Sequence, residues 1–176
     1  MNKLTTFKSL LREEKTLIIA CHEQEGKTKL ERNENLFLIS SSGNVLQRYS
    51  YVQQENFRHY VEDKGCKQIV VVGHNHAGAI EHIMNNPSTA QLVDELTFSN
   101  KPFSRPYVMD KVALERALLE FNIIEQCNLL LEYDFIRERL RRKLLTLLGV
   151  VTAAATSEAS QIYYNGIVYN NLVSLN

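Results

Sequence analysis

Two short stretches hold most of the side chains able to do chemistry. Cys21-His22-Glu23-Gln24-Glu25 places a thiol, an imidazole and two carboxylates within five residues, and Gly73-His74-Asn75-His76 places two imidazoles two positions apart. Cysteines that matter in such a chain do so as thiols or metal ligands, and Cys21 stands among imidazoles and carboxylates. The same thiol beside an imidazole is a thiolate–imidazolium nucleophile that needs no metal. Glu23, and Glu25 beside it, would serve as acid or base if desolvated, with His76 as the other candidate catalytic group. Against these stands a plainer reading, in which His74 and His76 cap a helix or hydrogen-bond in a polar crevice and Cys21 is a small buried side chain.

The surrounding residues say how such groups would be positioned. Ile69-Val70-Val71-Val72 is apolar without alternation, as in a strand buried on both faces of a parallel sheet, and Gly73 is expected to end it. Ala77 to Met84 has helical spacing, so the His-Asn-His tripeptide falls on a strand-to-helix turn. That is where open α/β sheets bind ligands and where free helix N–H groups favour anions or polarised oxygens. Thr16 to Ala20 is a second strand, ending at Cys21. Asn35 to Ser40 is a third, closed by the turn residues Ser41-Ser42-Gly43-Asn44. The expected crevice is thus lined by Gly43, Asn44, Gly73, Asn75 and Gly78.

Elsewhere the pattern predicts a helix over residues 3–14, another over 53–64 stopped by Gly65, and breaks at 85–88 and 100–106 with a short helix between them. From Asp110 apolar residues recur at helical spacing, and the basic run from Arg137 to Lys143 reads as a solvated face with intrahelical ion pairs. Leu144 to Ala155 is a further strand, and Asn165-Gly166 between two β-rich runs is a hairpin signal. His59 and His82 fall on helix surfaces, Cys66 and Cys127 in or near the core. The expected fold is α/β, a single domain over 1–176 with a mostly parallel β-sheet, flanking helices and a C-terminal β-hairpin.

Composition excludes several classes. The chain has 176 residues, 44% hydrophobic and 23% charged, with a formal net charge of zero, which gives no polyanion-binding surface and argues against nucleic acid. It has no apolar run of membrane-spanning length, and its N-terminus lacks the features of a signal peptide, so a cytoplasmic protein without a membrane partner is expected. Three scattered cysteines are too few for a disulfide framework.

The order and spacing of the strand ending in Cys21, the segment Phe37 to Asn44, the run Gly73-His74-Asn75-His76-Ala77-Gly78-Ala79, the helix-rich stretch and the terminal strand pair resemble the β-class carbonic anhydrases over nearly the whole chain. In that family the first strand ends in Cys-x-Asp-x-Arg, the second carries an Arg-Asn-Ala-Gly-Asn-like turn, and the third runs into Gly-His-x-x-Cys-Gly. Two cysteines and the histidine hold zinc, and the Asp–Arg pair controls its fourth position. The resemblance maps Cys21 onto the first zinc cysteine and His74 onto the zinc histidine. It also puts Ala77 where the second cysteine belongs, Glu23 at the aspartate and Glu25 at the arginine, and it retains only Gly43-Asn44 of the second turn.

The resemblance implies the family fold and a homodimer, and the substitutions imply loss of the family reaction. The leading expectation is a carbonic-anhydrase-like protein with a degenerate zinc site that does not hydrate carbon dioxide and that binds a small molecule or anion, or acts as an interaction module. Two others stand beside it: a divergent zinc-dependent carbonic anhydrase or related lyase with a rebuilt ligand set of Cys21, His74 and either His76 or His22 as third donor, and a cysteine-dependent enzyme.

Overall fold

A computed structural model describes residues 5–11, 14–21, 34–74, 77–85, 111–152 and 158–169. Among the described residues seven strands form one sheet. They are β1 (Thr5–Thr6), β2 (Thr16–Cys21), β3 (Leu36–Ser41), β4 (Gln68–His74), β5 (Thr146–Thr152), β6 (Glu158–Tyr164) and β7 (Ile167–Val168). Their spatial order is β1-β6-β5-β4-β2-β3, with β7 also on β6. β3, β2, β4 and β5 run parallel, whereas β6 is antiparallel to β5, and β1 and β7 are antiparallel to β6.

Every residue of β2 and β4 is buried, which is why their sequences lack polar alternation. Alternation still sorts them into two cores. Leu17, Ile19, Ile69, Val71 and Leu147 pack with Phe57 and Val61 and with residues of α4 (Lys111–Leu131) and α5 (Asp134–Arg141). Ile18, Ala20, Val70, Val72, Leu148 and Val150 form the other face with Ala159, and Leu10 and Leu11 pack against it.

The long helix α4 lies very close to the sheet. A Cβ on Gly73 would stand 2.3 Å from Ile123 Cδ1, and one on Gly149 would stand 2.7 Å from Ile123 Cγ2 and 2.8 Å from Tyr163 Cβ. Both glycines are therefore packing positions, one on β4 and one on β5, that let Ile123 touch the sheet backbone. Helix α2 (Tyr51–Arg58) is capped by Ser50 Oγ, which accepts from Gln53 N at 3.3 Å. It passes into a π-turn (His59–Asp63) whose closing bond runs from Lys64 N to His59 O, and Gly65 at φ +72° turns the chain into β4.

The basic run on α5 is a solvated face, as expected. Arg137 pairs with Asp134, and Arg141 and Arg142 both bond Glu138, whose carboxyl these hydrogen bonds hold at about 2. The hairpin also forms: Asn165 and Gly166 both take positive φ, and Tyr163 and Tyr164 pair with Val168 and Ile167. Cys66 and Cys127 are buried free thiols, and burial pushes Cys66 up to about 11.

Three expectations need correction. Among the described residues the helix placed over 3–14 is limited to α1 (Phe7–Leu10), because Thr5–Thr6 pairs with β6 before it. Gly73 does not end its strand; β4 runs on to His74, paired with Thr152. The strand placed at 144–155 begins only at Thr146, and its expected end at 153–155 lies outside the described residues. The breaks and short helix between residues 86 and 110 lie outside the described residues.

The two kinds of glycine should separate on substitution. Gly149→Ala is expected to lower the unfolding free energy by about 1–3 kcal/mol through overpacking. Gly65→Ala, with nothing within 4 Å of its Cβ, adds only the strain of φ +72°, about 1 kcal/mol. Urea denaturation of the two variants measures the order.

Candidate functional site

Parallel strands end on one rim, so β2, β3 and β4 deliver Cys21, Ser41 and His74 to the same end of the sheet. The ladder between β2 and β4 stops at Ala20↔Val72, whereas β2 stays paired with β3 through Cys21↔Ser41 and β4 with β5 through His74↔Thr152. Cys21 and His74 therefore both lie past the last β2–β4 pair, on neighbouring strands about 4.8 Å apart. Each strand follows its outer partner, and the rim opens between them. Both side chains are buried, Cys21 at 4% and His74 at 7% exposure.

A 3-10 turn, Ser42–Asn44, packs beside this opening, with Gly43 at φ 62° and Asn44 at φ 56°. Two successive left-handed residues suit Gly-Asn and few other pairs. The turn is held by a buried chain of amides. Leu46 N donates to Gln126 Oε1 at 2.7 Å, Gln126 Nε2 to Asn122 Oδ1 at 3.1 Å, and Asn122 Nδ2 to Gly43 O at 3.1 Å. Asn44 Nδ2 then donates to Val72 O on β4 at 3.2 Å. The turn is thus fastened to α4 on one side and to the central strand on the other.

Helix α3 (Ala77–Met84) starts just past β4, with Gly78 in its first turn, and packs on Ser42–Asn44. Of the residues singled out in the sequence, the structure gathers Cys21, His74, Gly43 and Asn44 at this rim. Gly73 reaches the rim through its backbone, while the side where its Cβ would stand belongs to the core under α4. His22, Glu23, Glu25, Asn75 and His76 lie outside the described residues.

As a donor set, Cys21 and His74 are two ligands, and zinc centres of the catalytic type use three protein ligands with one open position. Position 77, the first of α3, is alanine and supplies no donor. Among the described residues no group of three His, Cys, Asp or Glu side chains is arranged to hold a metal. The described set is one ligand short.

Asn122 and Gln126 were not identified in the sequence. They sit at i and i+4 on a helix read only for its apolar spacing, at 1% and 3% exposure. Two amides breaking an otherwise apolar face were the available signal. A cleft of about 280 Å³ between α2 and α5, lined by Tyr49, Gln54, Arg58, Tyr133 and Phe135 among others, contains none of the expected residues. There the Arg58 guanidinium lies 4.6 Å from the centre of the Phe135 ring.

Asn122→Ala would leave Gly43 O and Gln126 Nε2 buried without partners. We expect a loss of about 2–6 kcal/mol in urea denaturation, from two orphaned groups at about 1–3 kcal/mol each. A loss below about 0.5 kcal/mol would show that the amide chain does not fasten the turn.

Comparison with known proteins bears on the scaffold. A family model described as carbonic anhydrase matches residues 17–159. No curated protein sequence matches the chain. Among solved structures, the wild-type β-carbonic anhydrase CafD of Aspergillus fumigatus is similar with TM-score 0.65 and 19% identity, over 93% of this chain and 99% of that one. The tetrameric β-carbonic anhydrases of Sordaria macrospora give TM-score 0.63 and 15% identity, over 88% and 83%. A Coccomyxa β-carbonic anhydrase in complex with acetazolamide gives TM-score 0.59 and 16% identity, over 91% and 78%. At these identities the structural likeness speaks for the fold, and the family match, which runs from the second residue of β2 into β6, speaks for descent: the chain belongs to the β-class carbonic anhydrase family.

Proposed function

We propose that this family member keeps the scaffold without the hydration chemistry, that its zinc site is degenerate, and that it binds a small molecule or anion at the strand-end crevice as a ligand-binding or interaction module. One observation carries the reading. Ala77 stands at the head of α3, where the family resemblance puts the second zinc cysteine, while Cys21 and His74 hold the other two ligand positions.

Hydration of carbon dioxide needs a water whose pKa is lowered to about 7, and zinc does that only with an intact ligand set and an open position. Replacing a thiolate by a methyl group removes one anionic ligand. Glu23 and Glu25, in place of the family's Asp and Arg, add a second obstacle: two carboxylates and no guanidinium leave nothing to draw a glutamate away from the metal's fourth position. A scaffold folds without either feature, so fold and reaction can part company.

Stopped-flow hydration assays on zinc-supplemented protein are expected to show no turnover above buffer background. Turnover that disappears in His74→Ala would contradict the reading and favour a divergent zinc enzyme with His76 or His22 as third ligand. We further propose a cytoplasmic homodimer. Support for the dimer comes from the apolar hairpin residues Ile167, Val168 and Tyr169, which are exposed on one chain. Light scattering at micromolar concentration should give twice the chain mass, and a strictly monomeric mass would count against it.

A further inference from the structure

The cleft between α2 and α5 holds none of the groups gathered at the strand-end rim, yet three aromatic rings line it. Two of them are fixed. Tyr133 packs on Phe57 and stacks with Phe135, each at 5.8 Å between ring centroids, and its hydroxyl accepts from Gln53 Nε2 at 3.4 Å. Phe135 carries the Arg58 guanidinium on its ring. The third ring, Tyr49, is 89% exposed and takes φ 65°. A tyrosine in the left-handed region is strained, and an exposed ring recovers nothing by packing in the core, so the fold holds this side chain beside the cleft at a cost. Backbone strain of this kind gathers where a ligand is clamped.

Charge decides which class of ligand fits. Each charged side chain of the wall is already answered within the chain: Arg58 meets Glu62 at 3.1 Å and Glu55 at 3.5 Å, Glu132 meets Arg48 at 2.8 Å, and Asp134 meets Arg137. An anion would have to draw Arg58 away from two carboxylates, and a cation would meet Arg58 already seated on the Phe135 ring. One polar group of the wall is uncommitted. Among the described residues nothing bonds the Gln54 carboxamide, which supplies both donor and acceptor. The cleft encloses about 280 Å³, just below the range usual for drug-sized ligands, so it suits one flat ring system.

We propose that this cleft is a ligand site separate from the strand-end crevice, and that it takes an uncharged planar heteroaromatic ring of the nucleobase class. The ring stacks on the aromatic walls, a contact open to any flat π-face, while the Gln54 carboxamide bonds its polar edge. Adenine is the plain case, because a glutamine amide matches its ring-nitrogen acceptor and the amino donor beside it. Tyr49 is carried by a segment secured on both sides: Arg48 is tied to Glu132 past the end of α4, and Ser50 caps α2. The site uses no metal and no residue of the rim, so it stands or falls independently of the function proposed above.

The test is a titration of the isotope-labelled full-length chain, followed through the backbone amide signals of Ser50 and Gln54, with three probes. They are adenine, adenine dimethylated at its amino group, which keeps the ring and loses the N–H donors, and adenosine monophosphate. Adenine is expected to give saturable shifts at these signals and none at Gly43 or His74. Its binding should weaken about tenfold in Tyr49→Gly, which suits φ 65° and removes one stacked ring, and severalfold in Gln54→Ala. Neither substitution removes a side-chain hydrogen bond, so both variants should fold. The dimethylated probe should bind severalfold more weakly than adenine to the natural chain and equally to Gln54→Ala, and the monophosphate no more tightly than adenine. Absence of saturable adenine shifts, or adenine binding unchanged in Tyr49→Gly, overturns the proposal. A monophosphate bound over about tenfold more tightly than adenine also overturns it, because the phosphate would then be the group recognised. Adenine shifts confined to Gly43 and His74 overturn it while leaving a ligand at the rim.

Discussion

The contact on which the rest of the site depends is that of Ile123 with the bare backbone of β4 and β5. Gly73 and Gly149 admit it by having no Cβ, and any larger residue would meet Ile123 at under 3 Å. Once α4 is seated that closely, Asn122, next to Ile123, reaches the Ser42–Asn44 turn, and Gln126, one turn further on, reaches Leu46 just past it. The turn in its left-handed pair of residues then sets Asn44 against Val72 of the central strand. A single close approach between helix and sheet thus determines the shape of a rim several residues away.

The amides add a different constraint. An apolar contact tolerates small slides, whereas a buried amide chain is either satisfied or costly, so it fixes one register of helix against turn. In this chain the fastening polar groups are carried by α4 and the turn, and the residues expected to do chemistry are carried by β2 and β4. The two sets meet at the rim without sharing a side chain. The groups that fasten the turn and those expected to do chemistry are thus carried by different elements, so a family fold can persist independently of the chemistry at its rim.

How much of this the sequence disclosed follows from the kind of signal each element leaves. β2 and β4 are buried on both faces and stand out as unbroken apolar runs, and Asn165-Gly166 marks its hairpin through the positive φ angles it adopts. Thr5–Thr6 left no such mark, because a two-residue strand takes its identity from its partner β6 rather than from its own pattern. Gly73 was read as a stop on local grounds, but the reason for glycine there is a side chain fifty positions later in α4. Asn122 and Gln126 were hidden for a related reason: their partners are the 3-10 turn and Leu46, two residues past it, far away in sequence. Cys21, His74, Gly43 and Asn44 were legible as a group because parallel strands must end on one rim, whereas the chemistry of that rim hinges on residues whose roles no topology fixes.

The central claim, a retained scaffold with an incomplete metal site, is tested most directly by zinc stoichiometry under chelator competition, with Ala77→Cys measured beside the natural chain as a restored donor set. The account predicts well under one equivalent of zinc in the natural chain and an approach to one equivalent in Ala77→Cys. One equivalent in the natural chain, lost in both Cys21→Ser and His74→Ala, would contradict it.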